Sequence, residues 1–334
     1  MLATIPPKTY AARDTASRNH TVQGLACTSP RVAILLCTFQ GSRFLGEQLD
    51  SIIGMKHRNW KIFASDDASS DTTGSILSRY QQRIGKSRLC ILKGPERGFA
   101  SNFLSLVHNT SIDGDYFAWC DQDDRWHPDK LSVALRSLKA IPPSIPALYC
   151  GRTYLIAEDG SRLGHSPLFE RPPGFANALV QNIGGGNTMV FNRAARDVLR
   201  AAGKALNPIS HDWWSYLLVS GAGGEVIYDC HPTVSYRQHS ANLVGANTSM
   251  RARAVRIAMV LNGRFRCWNE SNIRNLGEVA HLLTDENRRL LMQFRKARRS
   301  SAIKGYLMLR AAGIHRQTRL GNLGILFALL CRRF

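Results

Sequence analysis

Through its first part the chain alternates short apolar runs with stretches of helical spacing. Residues 32–37 (VAILLC) form a continuous apolar run, as in a strand buried on both faces. Leu45, Leu49, Ile52 and Ile53 follow at helical spacing, then a second strand at 61–65 runs into Asp66-Asp67. Ile76, Leu77 and Tyr80 mark a second helix, 89–92 a third strand, and Phe99, Phe103, Leu104 and Val107 a third helix. A fourth strand at 116–120 runs into Asp121-Gln122-Asp123-Asp124, and a helix carrying Leu131, Leu135 and Leu138 follows Pro128. This alternation predicts an α/β fold with a parallel sheet covered on both faces. Ligands of such sheets bind beyond the carboxyl ends of the strands. The polar clusters fall there: Thr38-Phe39-Gln40-Gly41, Asp66-Asp67 and the 121–124 cluster.

Beyond Ile141-Pro142-Pro143 the rhythm is irregular. Residues 147–157 read as a strand or a hairpin, Gly184-Gly185-Gly186-Asn187 precedes a strand at 188–191, and His211-Asp212-Trp213-Trp214 opens a helix. Short strands are expected at 225–228 and 233–236. From about residue 248 the pattern is helical and basic, without a strong turn signal before Gly313. The organisation expected is a loose polar arm (1–29), an α/β domain (30–247) and a basic helical region (248–334). The last segment, 320–334, is apolar but too short to span a bilayer. It suits a helix lying on a membrane or one packed on the domain.

Charge sharpens this division. The 334 residues hold 44 Lys/Arg against 24 Asp/Glu, a net of +20, and residues 251–334 alone hold 18 against 4. Such a block fits nucleic acid, anionic lipid or a polyanionic substrate. A zinc-finger spacing and an aromatic RNP-like strand are absent from the sequence. Acidic clusters at strand ends would repel a phosphate backbone unless loaded with metal, so nucleic acid is not the expected partner. The eight cysteines form no Cys-x-x-Cys pair and read as reduced thiols. Residues 1–30 lack an apolar run of signal-peptide length. A cytoplasmic protein is expected, and charge alone does not choose the inner face of an anionic membrane over the other partners.

Three carboxylates lie within residues 121–124. Crowding of this kind opposes ionisation unless a cation is present, and hard oxygen ligands suit Mg²⁺ or Mn²⁺. Mg²⁺ commonly binds through one or two carboxylates plus substrate phosphates, so this cluster is a seat for a metal–diphosphate. In Asp66-Asp67-Ala68-Ser69-Ser70-Asp71, Asp71 is a helix cap. Asp66 and Asp67 are left at the strand end, where a carboxylate can accept from a pyrimidine N–H.

Together these motifs resemble glycosyltransferase family 2, with its nucleotide-sugar-binding GT-A fold and mixed central sheet, over residues 31–245. Cys37-Thr38-Phe39-Gln40-Gly41 resembles the family's Ser/Cys-Thr-Tyr-Asn-Gly, and Glu47-Gln48-Leu49-Asp50-Ser51-Ile52 also matches. Asp66 to Thr73 resembles Asp-Asp-Gly-Ser-Ser-Asp-x-Thr. Cys120-Asp121-Gln122-Asp123-Asp124-x-Trp126 is similar to the Asp-x-Asp form of the family's rhamnosyltransferases. Gly185-Gly186-Asn187-Thr188-Met189, His211-Asp212-Trp213-Trp214 and Tyr236-Arg237-Gln238-His239-Ser240-x-Asn242-Leu243-Val244-Gly245 extend the likeness. Gln40 and Ala68 depart from the family's Asn and Gly; Ala68 is awkward if the turn needs positive φ.

The resemblance implies an inverting, metal-dependent glycosyltransferase. Thr38 and Asp67 would line the base with Asp66 in support, Asp121 would reach the ribose, and Asp123, assisted by Asp124, would hold Mg²⁺ or Mn²⁺ on the diphosphate. His239 would touch the diphosphate or metal, unless it is a core or surface histidine. Asp212 has two readings from the residues alone: a first-turn carboxylate favoured by the helix dipole above core tryptophans, or a base for the acceptor hydroxyl. The family's base falls here, with Trp213 and Trp214 offering a face to sugar and His211 a weaker candidate. Gly185, Gly186 and Asn187 would let backbone approach donor sugar or acceptor, or form a plain tight turn. The implied donor is dTDP-L-rhamnose, with a UDP-hexose as alternative. The implied acceptor is a glycan or lipid-linked glycan of surface polysaccharide such as O-antigen.

Overall fold

The computed structural model describes residues 29–239 and 262–334. The arm expected over 1–29 lies outside them except for Ser29, as does the motif from Ser240 to Gly245. Strand β1 (Val32–Thr38) is buried at every position, as its unbroken apolar run requires. Helix α1 (Leu45–Ile53) leads to β2 (Trp60–Asp66), α2 (Thr73–Ile84) to β3 (Leu89–Lys93), and α3 (Phe99–His108) to β4 (Tyr116–Cys120). After β4 come β5 (Arg125–Trp126), α4 (Lys130–Leu138), β6 (Ala147–Gly151), β7 (Tyr154–Ile156) and β8 (Arg162–His165). Next are α5 (Phe175–Ala178), β9 (Val190–Asn192), α6 (Arg193–Ala201), α7 (His211–Gly221), β10 (Glu225–Asp229) and β11 (Val234–Arg237).

The main sheet has the order β10-β6-β9-β4-β1-β2-β3. It is parallel except for β9, which runs antiparallel to both β4 and β6. Alternation along β1 divides the core: Ala33, Leu35 and Cys37 face one side, Val32, Ile34 and Leu36 the other. A smaller sheet, β5-β11-β7-β8, sits beside it. The expected strand or hairpin at 147–157 is corrected: β6 and β7 are separate strands that enter different sheets.

Among the described residues four C-terminal helices follow: α8 (Arg264–Glu278), α9 (Asp285–Arg298), α10 (Ala302–Ala311) and α11 (Arg319–Leu330). They share the first core, Phe294, Leu309 and Ile325 joining Trp214 and Leu218 of α7. Polar ties reinforce this packing. Asn287 Nδ2 donates to the Ser220 and Gly221 carbonyls at 3.1 and 3.0 Å, and Asn177 Nδ2 to that of His315 at 3.0 Å. Among the described residues no helix is long and apolar enough to cross a membrane.

Candidate active site

The carboxyl ends of β4, β1 and β2 lie side by side, and the polar clusters meet there. Thr38 Oγ1 donates to Asp66 Oδ1 at 2.7 Å, and Asp66 also accepts from Ser69 N at 3.0 Å and Ser69 Oγ at 2.7 Å. Asp67 accepts from Glu96 N at 2.6 Å and Gly98 N at 2.9 Å, so it fastens the β3–α3 loop to the strand end. Gly94 permits that closeness, since a Cβ there would stand 2.7 Å from Asp67 Oδ1. Ala68 does take the left-handed conformation that its place in the turn raised as a question, with φ +65°. Gln40 (φ +50°) spans the turn, accepting from Ser70 N at 3.2 Å and Asp71 N at 3.1 Å. Asp71, expected as the cap, sits one residue before the cap position, which Thr72 holds, and still ties down the start of α2 by accepting from Thr73 N at 3.0 Å. Burial pushes its acid up, but hydrogen bonds from Thr73 and Ser42 outweigh this and bring it to about 2.

The acidic loop after β4 is divided in purpose. Asp123 Oδ2 lies 2.8 Å from His239 Nε2, and both reach the surface of the site. Pairing explains the reach. β11 runs antiparallel to β5, with Val234 opposite Trp126 and Ser235 opposite Arg125, which returns residues 237–239 to the loop. Asp121 is held well above the usual carboxylate range by burial first, then by Asp124, Asp123 and Asp212. Of this pair the carboxylate oxygen is the ligand type that suits Mg²⁺ or Mn²⁺, and the imidazole nitrogen suits a softer ion than Mg²⁺.

Asp124, expected as a second metal ligand, is corrected. It is fully buried, and accepts from Asn187 Nδ2 at 2.6 Å and Arg237 N at 3.1 Å. Burial first, then Asp123, raises its acid to about 8. Beneath it Lys130 is also buried, its ammonium 4.0 Å from the Trp126 ring centroid and lowered to about 7 by burial.

Asp212 lies in the first turn of α7, and every other residue of that helix is buried. Its carboxylate is oriented by Asn182 Nδ2 at 2.9 Å and its neighbour's N–H, that of Trp213, at 2.7 Å. Trp213 and Trp214, expected to offer a face to sugar, are corrected: they are 6% and 2% exposed, and Trp213 Nε1 donates to the Ala178 carbonyl at 2.7 Å. His211 is corrected as a base. Its buried ring stacks on Phe103 at 3.7 Å, and burial lowers it to about 4. Gly186 makes room for it, since a Cβ there would stand 2.3 Å from His211 Nε2. Asn187 is likewise buried and spent on Asp124, so only Gly185 of that trio is exposed.

Three residues escaped the sequence reading. Arg237 is buried and ties the site together, donating to Glu47 Oε2 at 2.7 Å, the Asp123 carbonyl at 3.0 Å and the Glu158 carbonyl at 2.6 Å. Gln122 pairs with Phe39 like a strand, each bond 2.9 Å. Tyr236 is pushed up by burial first, then by the negative charge of Asp124, Asp121, Asp123 and Asp212. Their side chains sit inside the quoted motifs, but partnership across so many residues leaves no local signal.

Comparison with known proteins bears on this arrangement. Residues 33–200 match the model of Glycosyl transferase family 2. The chain belongs to this family. It is a glycosyltransferase with a GT-A fold. The dTDP-rhamnosyl transferase RfbG of Shigella flexneri is 28% identical over 297 residues, 82% of this chain and 98% of that protein. The putative teichuronic acid biosynthesis glycosyltransferase TuaG of Bacillus subtilis is 24% identical over 144 residues, covering 41% of this chain and 54% of that one. Among solved structures, S. aureus TarS 1-349 in complex with UDP-GlcNAc aligns with a TM-score of 0.50 at 11% identity, covering 85% of this chain and 88% of that one. This last likeness concerns the fold alone.

Proposed function

We propose that this family 2 transferase moves L-rhamnose from dTDP-L-rhamnose to a hydroxyl of a glycan or lipid-linked glycan, with inversion and with Mg²⁺ or Mn²⁺. One observation carries the reading: Asp123 stands 2.8 Å from His239, Asp121 feels the charge of both Asp123 and Asp212, and Asp212 is the one residue of α7 that is not buried. The near full-length likeness to a dTDP-rhamnosyl transferase supports the donor.

In this reading Thr38, Asp66 and Asp67 shape the base pocket and Asp121 meets the ribose. Asp123 and His239 would hold the metal, which when bound would supply positive charge to the leaving diphosphate. Asp212, held by Asn182, takes the proton of the acceptor hydroxyl as that oxygen attacks the anomeric carbon. The attack comes from the face opposite the nucleoside diphosphate, through an oxocarbenium-like state, and one displacement inverts the centre. Gly185 borders the space for the acceptor.

The test is a thermal-shift series with dTDP, UDP, GDP and a short DNA duplex, each with and without Mn²⁺. A ligand at a hundred times its Kd adds about 2.7 kcal/mol of apparent stability. Metal-dependent stabilisation by dTDP is expected. A response to UDP in its place moves the donor to a UDP-hexose, and stabilisation by DNA alone, indifferent to EDTA, overturns the reading.

A further inference from the structure

The helices α10 and α11 leave an apolar ridge in water. On α11 the outward positions are Leu320, Leu323, Phe327 and Leu330, from 42% exposed at Phe327 to 70% at Leu320. Their spacing of three, four and three residues places them on one face of the helix. The opposite face, Asn322, Ile325, Ala328 and Leu329, is buried against the fold. No charged side chain lies between Leu320 and Leu330, but Arg319 precedes the ridge and Arg332 and Arg333 follow it. The preceding helix α10 adds Ile303 and Leu307, also exposed and one turn apart.

The stretch of sequence that carries this ridge is cationic. Residues 287–334 contain 12 Lys/Arg and no Asp/Glu. Along α9, two concavities of about 500 and 400 Å³ share Met292 and Arg295; Arg288, Arg289, Lys296 and Arg299 add to their lining, and Asp285, paired with Arg288, also lines the first.

We infer that α10 and α11 seat the protein on an anionic lipid bilayer, the ridge entering the acyl boundary and the cations of α9 and the helix ends meeting lipid phosphates. The charge pattern selects this occupant. A second copy would bring like charges together, and a nucleic acid would leave the leucines and Phe327 without an apolar partner. A bilayer offers both chemistries at the required depth. At 12 residues α11 reaches about 18 Å, short of the ~30 Å hydrocarbon core, so it lies along the surface. This inference does not depend on the identity of the donor.

The test is co-sedimentation of the full chain with phosphatidylcholine vesicles, with and without phosphatidylglycerol. Binding to the anionic vesicles is expected, at least about tenfold tighter than to neutral ones and weakened by salt. Leu323→Gln with Phe327→Gln, on the exposed face, is expected to weaken it by about tenfold or more at an unchanged melting curve. Equal binding to neutral and anionic vesicles, or wild-type binding by the double variant, overturns the proposal. A chain that ignores vesicles but forms a dimer dissolved by the double variant also overturns it, and assigns the ridge to a second copy.

Discussion

Ala68 adopts φ +65°, where a Cβ crowds the following carbonyl. Its carbon is held there because the neighbouring Asp66 carboxylate needs Ser69 N, and Gln40 needs Ser70 N and Asp71 N, in one turn. Ala68→Gly is expected to stabilise the protein by about 1 kcal/mol, read by denaturant melts; a loss of stability would show that the turn is not strained. At the acidic loop two neighbours separate by role. Asp123→Ala is expected to abolish transfer and metal-dependent nucleotide binding while the melt stays near wild type. Asp124→Ala strands two buried donors, Asn187 Nδ2 and Arg237 N, and is expected to cost about 1–3 kcal/mol for each. Reversal of those two outcomes would exchange their roles. Asp212→Asn keeps the shape and its hydrogen bond to Trp213 N but cannot accept a proton. It is expected to retain donor binding and lose about 10²–10⁴ in turnover, and loss of donor binding would make Asp212 structural.

Helix α7 shows how element context sets chemistry, and why part of it was hidden in the sequence. The strands β1, β2 and β4 were legible because a strand buried on both faces must be apolar throughout, and the acidic clusters stood out at their ends. The same logic fails for α7. With every residue but Asp212 buried, it has no polar stripe to reveal which side faces the site, so the residues leave core tryptophans as one reading and only the family likeness turns Trp213 and Trp214 toward sugar. β6 and β7 misled for another reason: their divergence into separate sheets depends on β9 and β11, distant in sequence. His211 carries the consequence that can be measured. Its ring is buried with no hydrogen-bond partner for either nitrogen, and titrates at about 4 instead of 6.5. Between those values the unfolded state holds a proton that the folded state refuses, so stability falls as pH is lowered through the window, by about 3 kcal/mol in full. Asp121 and Asp124, raised by burial, act in the opposite sense as pH rises. The contribution is therefore read as the difference between wild type and His211→Gln: wild type should lose more stability between pH 6.5 and 4 than the variant. Parallel curves would mean that the ring is protonated in place.

At the scale of the whole molecule, the C-terminal helices grip the helix that carries Asp212. α7 ends at Gly221, whose carbonyl accepts from Thr284 N and Asn287 Nδ2, both at 3.0 Å. One core runs from Leu35 and Trp119 in the sheet through Trp214 and Leu218 to Phe294 and Ile325. A basic region that rested on the domain through charge alone would melt by itself and leave the sheet intact. A shared core makes the opposite prediction. Phe294 is fully buried, packed edge-on to Phe334 at 5.8 Å between ring centroids. Phe294→Ala removes its ring from the shared core and is expected to cost about 3–5 kcal/mol. Because the core is continuous, that cost should lower one cooperative transition, with far-ultraviolet dichroism and tryptophan fluorescence moving together. Five of the six tryptophans lie outside the C-terminal helices, the exception being Trp268, so fluorescence reports mainly the sheet side while dichroism includes those helices. If the helical signal falls first while the fluorescence midpoint stays at its wild-type value, the helices are a separate unit. The hold on α7 is then dispensable to the fold.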